Sequence, residues 1–255
     1  MRRLLPTAIA VDLADPYAPL SMPGTAWLAL GMVTSLDGAV AIADRSGGLG
    51  GAGDRAGFRA VRALGDVILV GARTVVTESY GATWPARHAA RRTANDQHPL
   101  PTLVIVSASG TLPPDARVLR GDRRPVLLTT PDGARAAARL ALNVDVVETD
   151  ALPTGGCDLV VGLERVRGLL GPRIVCEGGP TLNASLLRAG LVDELFVTVS
   201  PQLVGAAGSG LGGTLPPDMP PVALTLHELR VHGSELLCRY RVHGHRYGSQ
   251  TAEQG

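Results

Sequence analysis

This chain predicts an α/β fold with a mostly parallel central sheet and antiparallel C-terminal strands. Two observations support the expectation. Short, continuously apolar runs alternate with stretches of helical spacing through most of the 255 residues, and runs without internal polar alternation indicate strands buried on both faces. The end of the chain breaks the alternation. It reads strand, loop, strand, strand, which marks an antiparallel finish on a parallel sheet.

The elements follow in order. A proline-rich entry at 16–24 precedes an apolar run at 27–34 (WLALGMVT), a turn at SLDG and the small-residue stretch GGLGGAG. Asp54 opens a helical segment in which Phe58, Val61 and Leu64 recur on one face, and Gly65 stops it. DVILVG is the next strand, with a helix beginning in GARTVVTES. Residues 81–101 read as an exposed connection. Strands are predicted at 102–107, 125–130, 144–148, 173–176 and 193–201, and helices at 131–142, 159–170 and 181–189. The glycine-rich loop 205–213, expected to be mobile, leads to final strands at 222–231 and 235–242. No linker splits the chain. The expected organisation is an N-terminal extension (1–25), one domain (26–243) and a flexible tail (244–255).

Composition narrows the function classes. Lys+Arg 24 against Asp+Glu 23 gives a net charge of +1, and neither a basic arm nor an acidic tail is present, so nucleic acid is not an expected partner. All the basic residues are arginine, which excludes a lysine Schiff base. Aromatic residues make up 3%, too few for a base-stacking surface. Cys157, Cys176 and Cys238 are too far apart for a CxxC metal or redox motif, and no metal site is expected. No apolar run reaches the ~18 residues of a membrane span, and the interrupted start makes a poor signal peptide. A cytoplasmic α/β protein is the resulting expectation.

Three glycine-containing turns are candidate ligand seats. Gly48-x-Gly50-x-x-Gly53 matches a dinucleotide fingerprint as a string, but polar AIADRS precedes it where the motif needs a buried strand, so a loop ahead of a helix is the better reading. Glu177-Gly178-Gly179-Pro180-Thr181 follows a buried strand and opens a helix. Its glycines permit close approach, its exposed amides suit a pyrophosphate, and Pro180 fits the first helical position. An ordinary β–α turn fits the same residues equally well. Gly71-Ala72-Arg73-Thr74 occupies a similar place and offers a hydroxyl and a guanidinium. Two such turns are what a dinucleotide across a sheet edge requires.

SLDG at 35–38, GDR at a helix start, VILVGARTV, CEGGPTLNASLL and LVDELFVTVSPQLVG together resemble the pyrimidine reductase family of riboflavin biosynthesis. The resemblance covers about residues 26–243. It implies a three-layer α/β/α fold like that of dihydrofolate reductase, NADPH as hydride donor and a homodimer. The family's fused deaminase shows no counterpart, since His-x-Glu with Pro-Cys-x-x-Cys is missing, so the chain looks like the stand-alone reductase. By that resemblance, Thr34 meets the nicotinamide, Gly71, Arg73 and Thr74 the phosphates, and Gly178, Gly179, Pro180, Thr181 and Leu182 the pyrophosphate. Ser107 then lies by the adenosine ribose phosphate. Ser46, Asp54, Arg62 and Glu177 face the substrate, with Asp54 and Glu177 as catalytic candidates. None of Arg87, Arg91 and Arg92 can be matched to the family's second substrate arginine.

Plainer roles compete for several of these residues. Asp54 fits equally a helix-start acid and an acceptor for the N–H groups of a pyrimidine, and the two are compatible. Asp37 reads as a turn residue, and any single arginine as solvated surface. Glu177, at the end of a buried strand, requires a partner. The leading function is NADPH-dependent reduction of a pyrimidine substrate, with hydride delivered to the ribose C1′. The alternatives are a dihydrofolate or pterin reductase on the same fold, or a nucleotide-binding module without turnover.

Overall fold

The computed structural model describes residues 1–17, 20, 26–81, 88–121, 123–205 and 210–243. The expected tail 244–255, Arg87, and residues 206–209 of the expected mobile loop lie outside the described residues. Eleven strands form one sheet: β1 (Arg2–Leu5), β2 (Ile9–Ala10), β3 (Trp27–Ser35), β4 (Val67–Gly71), β5 (Thr102–Val106), β6 (Val126–Thr129), β7 (Asp145–Glu148), β8 (Arg173–Cys176), β9 (Glu194–Ser200), β10 (Ala223–His232) and β11 (Glu235–His243). Their order is β2-β1-β10-β11-β9-β3-β8-β4-β5-β6-β7. From β9 to β7 every pairing is parallel, while β11, β10, β1 and β2 add on antiparallel.

The helices are α1 (Ala52–Arg62), α2 (Ala72–Thr77), α3 (Ala89–Ala94), α4 (Pro131–Arg139), α5 (Leu159–Leu170) and α6 (Pro180–Arg188). Two apolar cores lie on opposite faces of the sheet. One packs Ala60, Val61 and Val75 of α1 and α2, with Ala137 of α4, on Ala29, Ile68, Ile105 and Phe196. The other packs Leu163 and Val166 of α5, with Leu182 and Leu186 of α6, on Leu28, Leu30, Leu69 and Val104. Strands with both faces covered must be apolar throughout, and the uninterrupted runs WLAL and VILV reflect this.

The N-terminal segment is part of this sheet. Arg2 and Arg3 pair with Val231 and Arg230 of β10, and Tyr17 is buried with its ring edge-on to Phe196 at 5.2 Å. The connection expected to be exposed at 81–101 contains α3 and a fully buried arginine. Arg92 donates to the carbonyls of Ala63 and Gly65, at 3.0 and 2.6 Å, just past the end of α1. That contact satisfies helix-end acceptors that would otherwise be orphaned. Arg91 binds Asp15 at 2.5 Å, so both arginines tie the chain together rather than face a cleft.

Candidate active site

The C-terminal ends of β3, β4 and β8 meet the starts of α1, α2 and α6. Two β–α turns touch there: the Gly71 amide donates to the Gly178 carbonyl at 2.8 Å. Gly178 holds φ +85°, a left-handed value that favours glycine. Gly179 ends the turn, and Pro180 takes the first helical position as predicted. A Cβ on Gly179 would lie 2.6 Å from the Thr74 hydroxyl oxygen, so this residue type sets how closely the turns approach. No side chain caps α6. By contrast, the Thr130 hydroxyl caps α4 and the Asp158 carboxylate caps α5. The first amides of α6 are thereby left for an anion, and the helix dipole favours one there.

The Gly48-x-Gly50-x-x-Gly53 string meets a different fate. The Glu235 carboxylate, buried at the start of β11, accepts from the amides of Gly51 (2.7 Å), Gly53 (2.8 Å) and Asp54 (3.3 Å). A protein carboxylate already occupies the anion seat of α1. The loop itself is stitched to the end of β9, with Ser200 and Gln202 donating to the Leu49 carbonyl at 2.7 and 3.1 Å. Asp54 therefore does not cap its helix, whose N-cap position is held by Gly51. Its side chain turns back over Gly50, hydrogen-bonds with Thr198, and lines a small cleft with Gly31, Met32 and Phe58. Burial is the main cause raising its pKa; the nearby Glu235 charge also raises it, against the Thr198 bond and Arg55.

Glu177 finds the partner its position demanded. Arg62 of α1 donates to both of its oxygens, Nε to Oε1 and Nη2 to Oε2 at 2.6 Å. The Tyr80 hydroxyl donates to Oε2 at 2.6 Å, and the Arg62 guanidinium stacks on Phe58 at 4.4 Å. Burial and the Glu177 charge hold the Tyr80 phenol well above its usual range. Ser46 sits at the margin, its amide donating to Glu78 at 2.7 Å. Asp37 is a turn residue, as read: it accepts from Ser35, Val204 and Gly205 and holds the segment after β9.

The remaining candidates spread along the strand ends. Thr34 is nearly buried at the end of β3, its hydroxyl donating to the Ser35 carbonyl. Arg73 is exposed on α2. Ser107 follows β5, with its hydroxyl 3.4 Å from that of Ser109. Thr181 is exposed, whereas the Leu182 side chain is buried in the core, leaving only its backbone to face a ligand. Sequence reasoning missed Tyr80 and Glu235. Tyr80 sits just beyond α2 and Glu235 at the first position of β11, and their partners are 97 to 184 residues away in the chain. Among the described residues no group of three His, Cys, Asp or Glu is gathered for a metal, and no helix is long and apolar enough to cross a membrane.

Residues 26–238 match the RibD C-terminal domain family. The chain belongs to that family. Within it, the chain is 30% identical over 223 residues to the 2,5-diamino-6-ribosylamino-4(3H)-pyrimidinone 5′-phosphate reductase of Methanothermobacter thermautotrophicus, covering 86% of this chain and 99% of that protein. Among solved structures, a pyrimidine reductase-like protein from Corynebacterium diphtheriae superposes with a TM-score of 0.72 at 23% identity, over 85% of this chain and 92% of that one. The Thermotoga maritima diaminohydroxyphosphoribosylaminopyrimidine deaminase/5-amino-6-(5-phosphoribosylamino)uracil reductase superposes with a TM-score of 0.62 at 19% identity, and this chain spans 57% of its length. The RibD C-terminal fold is thus the three-layer α/β/α arrangement expected.

Proposed function

We propose that this RibD C-terminal domain protein is an NADPH-dependent reductase of a phosphorylated ribosylaminopyrimidine. The observation that carries the reading is the joined pair of turns at Gly71–Thr74 and Gly178–Leu182. There the uncapped start of α6 and the Thr74 hydroxyl lie side by side, a surface suited to a dinucleotide's phosphates. Membership of the family and the likeness to the archaeal reductase supply the substrate class.

A nicotinamide cofactor bound there supplies hydride. Gly178, Gly179, Thr181 and the Leu182 backbone would hold its pyrophosphate, Thr74 a phosphate oxygen, and Thr34 the nicotinamide end. Exposed Arg73 and the buried Ser107 just after β5 would meet a 2′-phosphate. Arg62, fixed by Glu177 and Tyr80 over Phe58, and Ser46 would line the substrate side. In the ring-opened substrate the hydride forms a C1′–H bond, the C1′=N double bond becomes single, and the nitrogen takes a proton. Orientation of the imine against the nicotinamide does most of the work. Comparing kcat/KM for NADPH and NADH tests the cofactor. Preference for NADPH that falls in Arg73→Ala supports the assignment, and equal values in the parent protein refute it.

The same reading includes a homodimer. On the α6 side, β10 and β11 present Leu224, Leu226 and Leu236 at 38–44% exposure beside Leu229, Tyr240 and Val242. Ten residues of β10 with β11 beside it make a face of about 330 Å². As the apolar part of a homodimer interface, that area corresponds to roughly 1,000 Å² buried in all, at the small end of specific interfaces. A second copy supplies a matching uncharged face, and a net charge of +1 offers little repulsion. Light scattering should give a dimer that Leu226→Glu dissociates; a monomeric parent protein would refute it. The cytoplasm, where such cofactors and reduced thiols occur, is the proposed location, supported by three free cysteines.

A further inference from the structure

Among the described residues, each fully buried acid has a cation or several amides. Asp66 pairs with Arg173, Glu177 with Arg62, Glu194 with Arg239 and Glu228 with Arg230, while Glu235 takes three amides of α1. Asp54 differs. It lies in the substrate-side cleft beside Met32, Phe58 and Thr198, and the Thr198 hydroxyl is its side-chain hydrogen-bond partner. Among the described residues no arginine forms an ion pair with it. Since Glu235 caps the helix, Asp54 is free of that duty as well. Asp54 is half-buried, and its remaining lone pairs are acceptors open to that cleft.

We propose that Asp54 selects a pyrimidine bearing an amino group at C2 over the corresponding uracil. The inference rests on the reductase reading above and names the base that the site takes. The substrate named for the archaeal relative is a 2,5-diaminopyrimidinone, which presents two neighbouring donors, N3–H and the C2 amino group. A carboxylate accepts from both at once, as it does from a guanidinium. The uracil named for the Thermotoga maritima enzyme has a carbonyl oxygen at C2. That oxygen would face the carboxylate, an acceptor against an acceptor. The C2–N3 edge lies across the ring from the 6-ribosylamino group, so Asp54 grips the far end of the base while C1′ is left toward the nicotinamide. The product keeps its C2 amino group, and conversion to a uracil then requires a later hydrolytic deamination. Asp54 acts here as a specificity-determining residue.

The test measures kcat/KM for cofactor oxidation with the two bases, each carried on the same ribosyl 5′-phosphate. The protein should favour the diaminopyrimidinone by at least roughly tenfold, the value of one matched polar contact against a buried mismatch. Asp54→Asn places an N–H donor toward C2. It should lower kcat/KM for the diaminopyrimidinone roughly ten- to a hundredfold and leave the uracil unchanged or improved. Asp54→Ser should lose the discrimination without reversing it. Cofactor affinity and melting temperature, measured on each variant, should stay at the parent values. Equal kcat/KM or a uracil preference in the parent protein, or an Asp54→Asn loss that is the same for both bases, overturns the inference while the reductase reading stands. Absence of oxidation with either base, in protein that binds the cofactor, overturns both.

Discussion

Placing a side chain at Gly179 sets a Cβ 2.6 Å from the Thr74 hydroxyl oxygen. The backbone there has φ −72°, a conformation open to any residue, so the perturbation in Gly179→Val is steric and local. Thr74 or the turn must move by about 0.8 Å to restore ordinary contact. Overpacking of that kind costs about 1–3 kcal/mol, a fall of roughly 2–12 °C in Tm for a chain of this size. The displaced hydroxyl and the filled turn also remove contacts to a phosphate, each charge-assisted hydrogen bond contributing about 1.5–3 kcal/mol. NADPH affinity should therefore drop at least roughly tenfold. Fluorescence titration against thermal melting separates the two effects. In the double variant Gly179→Ala, Thr74→Ala the clash is gone, so Tm should recover while affinity does not. If Gly179→Val binds NADPH as tightly as the parent protein, the two turns do not seat the phosphates.

Other outcomes follow from the same contacts. Glu235→Ala strips three amides at the start of α1 of their acceptor and should lower stability by about 2–4 kcal/mol, read as a Tm fall with no change in the cofactor affinity of the folded protein. Tyr80→Phe leaves Glu177 held by Arg62 alone; substrate KM should rise severalfold while NADPH affinity is unchanged, as steady-state kinetics and titration would show. Burial pushes the Tyr17 phenol from 10.0 to about 12, with Arg230 acting against it. The folded state holds this proton more tightly than the unfolded one, so the contribution is intact below pH 10 and is lost as pH rises toward 12. Alkaline melting curves should fall across that window, and less steeply in Tyr17→Phe.

The parallel half of the sheet was legible because burial on both faces leaves a mark in the sequence. The runs WLAL, VILV and RIVC each became a strand within a residue or two of the prediction. So was the Gly178–Thr181 turn, where a strand end, two glycines and a proline at the first helical position agree. The N-terminal strands were not legible, since β1 reads RRLL and takes its stability from pairing with β10, more than 220 residues later. The same holds for Arg92, whose acceptors are carbonyls that carry no sequence signal, and for Glu235, which looks like the first residue of a hairpin strand. In the site, Glu177 announced its need for a partner but not the identity of that partner. Phe58 and Val61 placed α1 against the sheet, and that packing brings Arg62 to Glu177. Asp54 was recognised as facing two roles, and Glu235 removes the capping one.

Reductase activity on a ribosylaminopyrimidine is the central claim, and following the hydride itself tests it most directly. With NADPH deuterated at the transferred position of the nicotinamide, incubation with 2,5-diamino-6-ribosylamino-4(3H)-pyrimidinone 5′-phosphate should oxidise the cofactor in equal measure to product formed. Proton NMR and mass spectrometry should then find one deuterium at C1′ of a ribityl side chain. Oxidation of the cofactor without deuterium at that carbon, or no oxidation by protein shown to bind NADPH, would contradict the account.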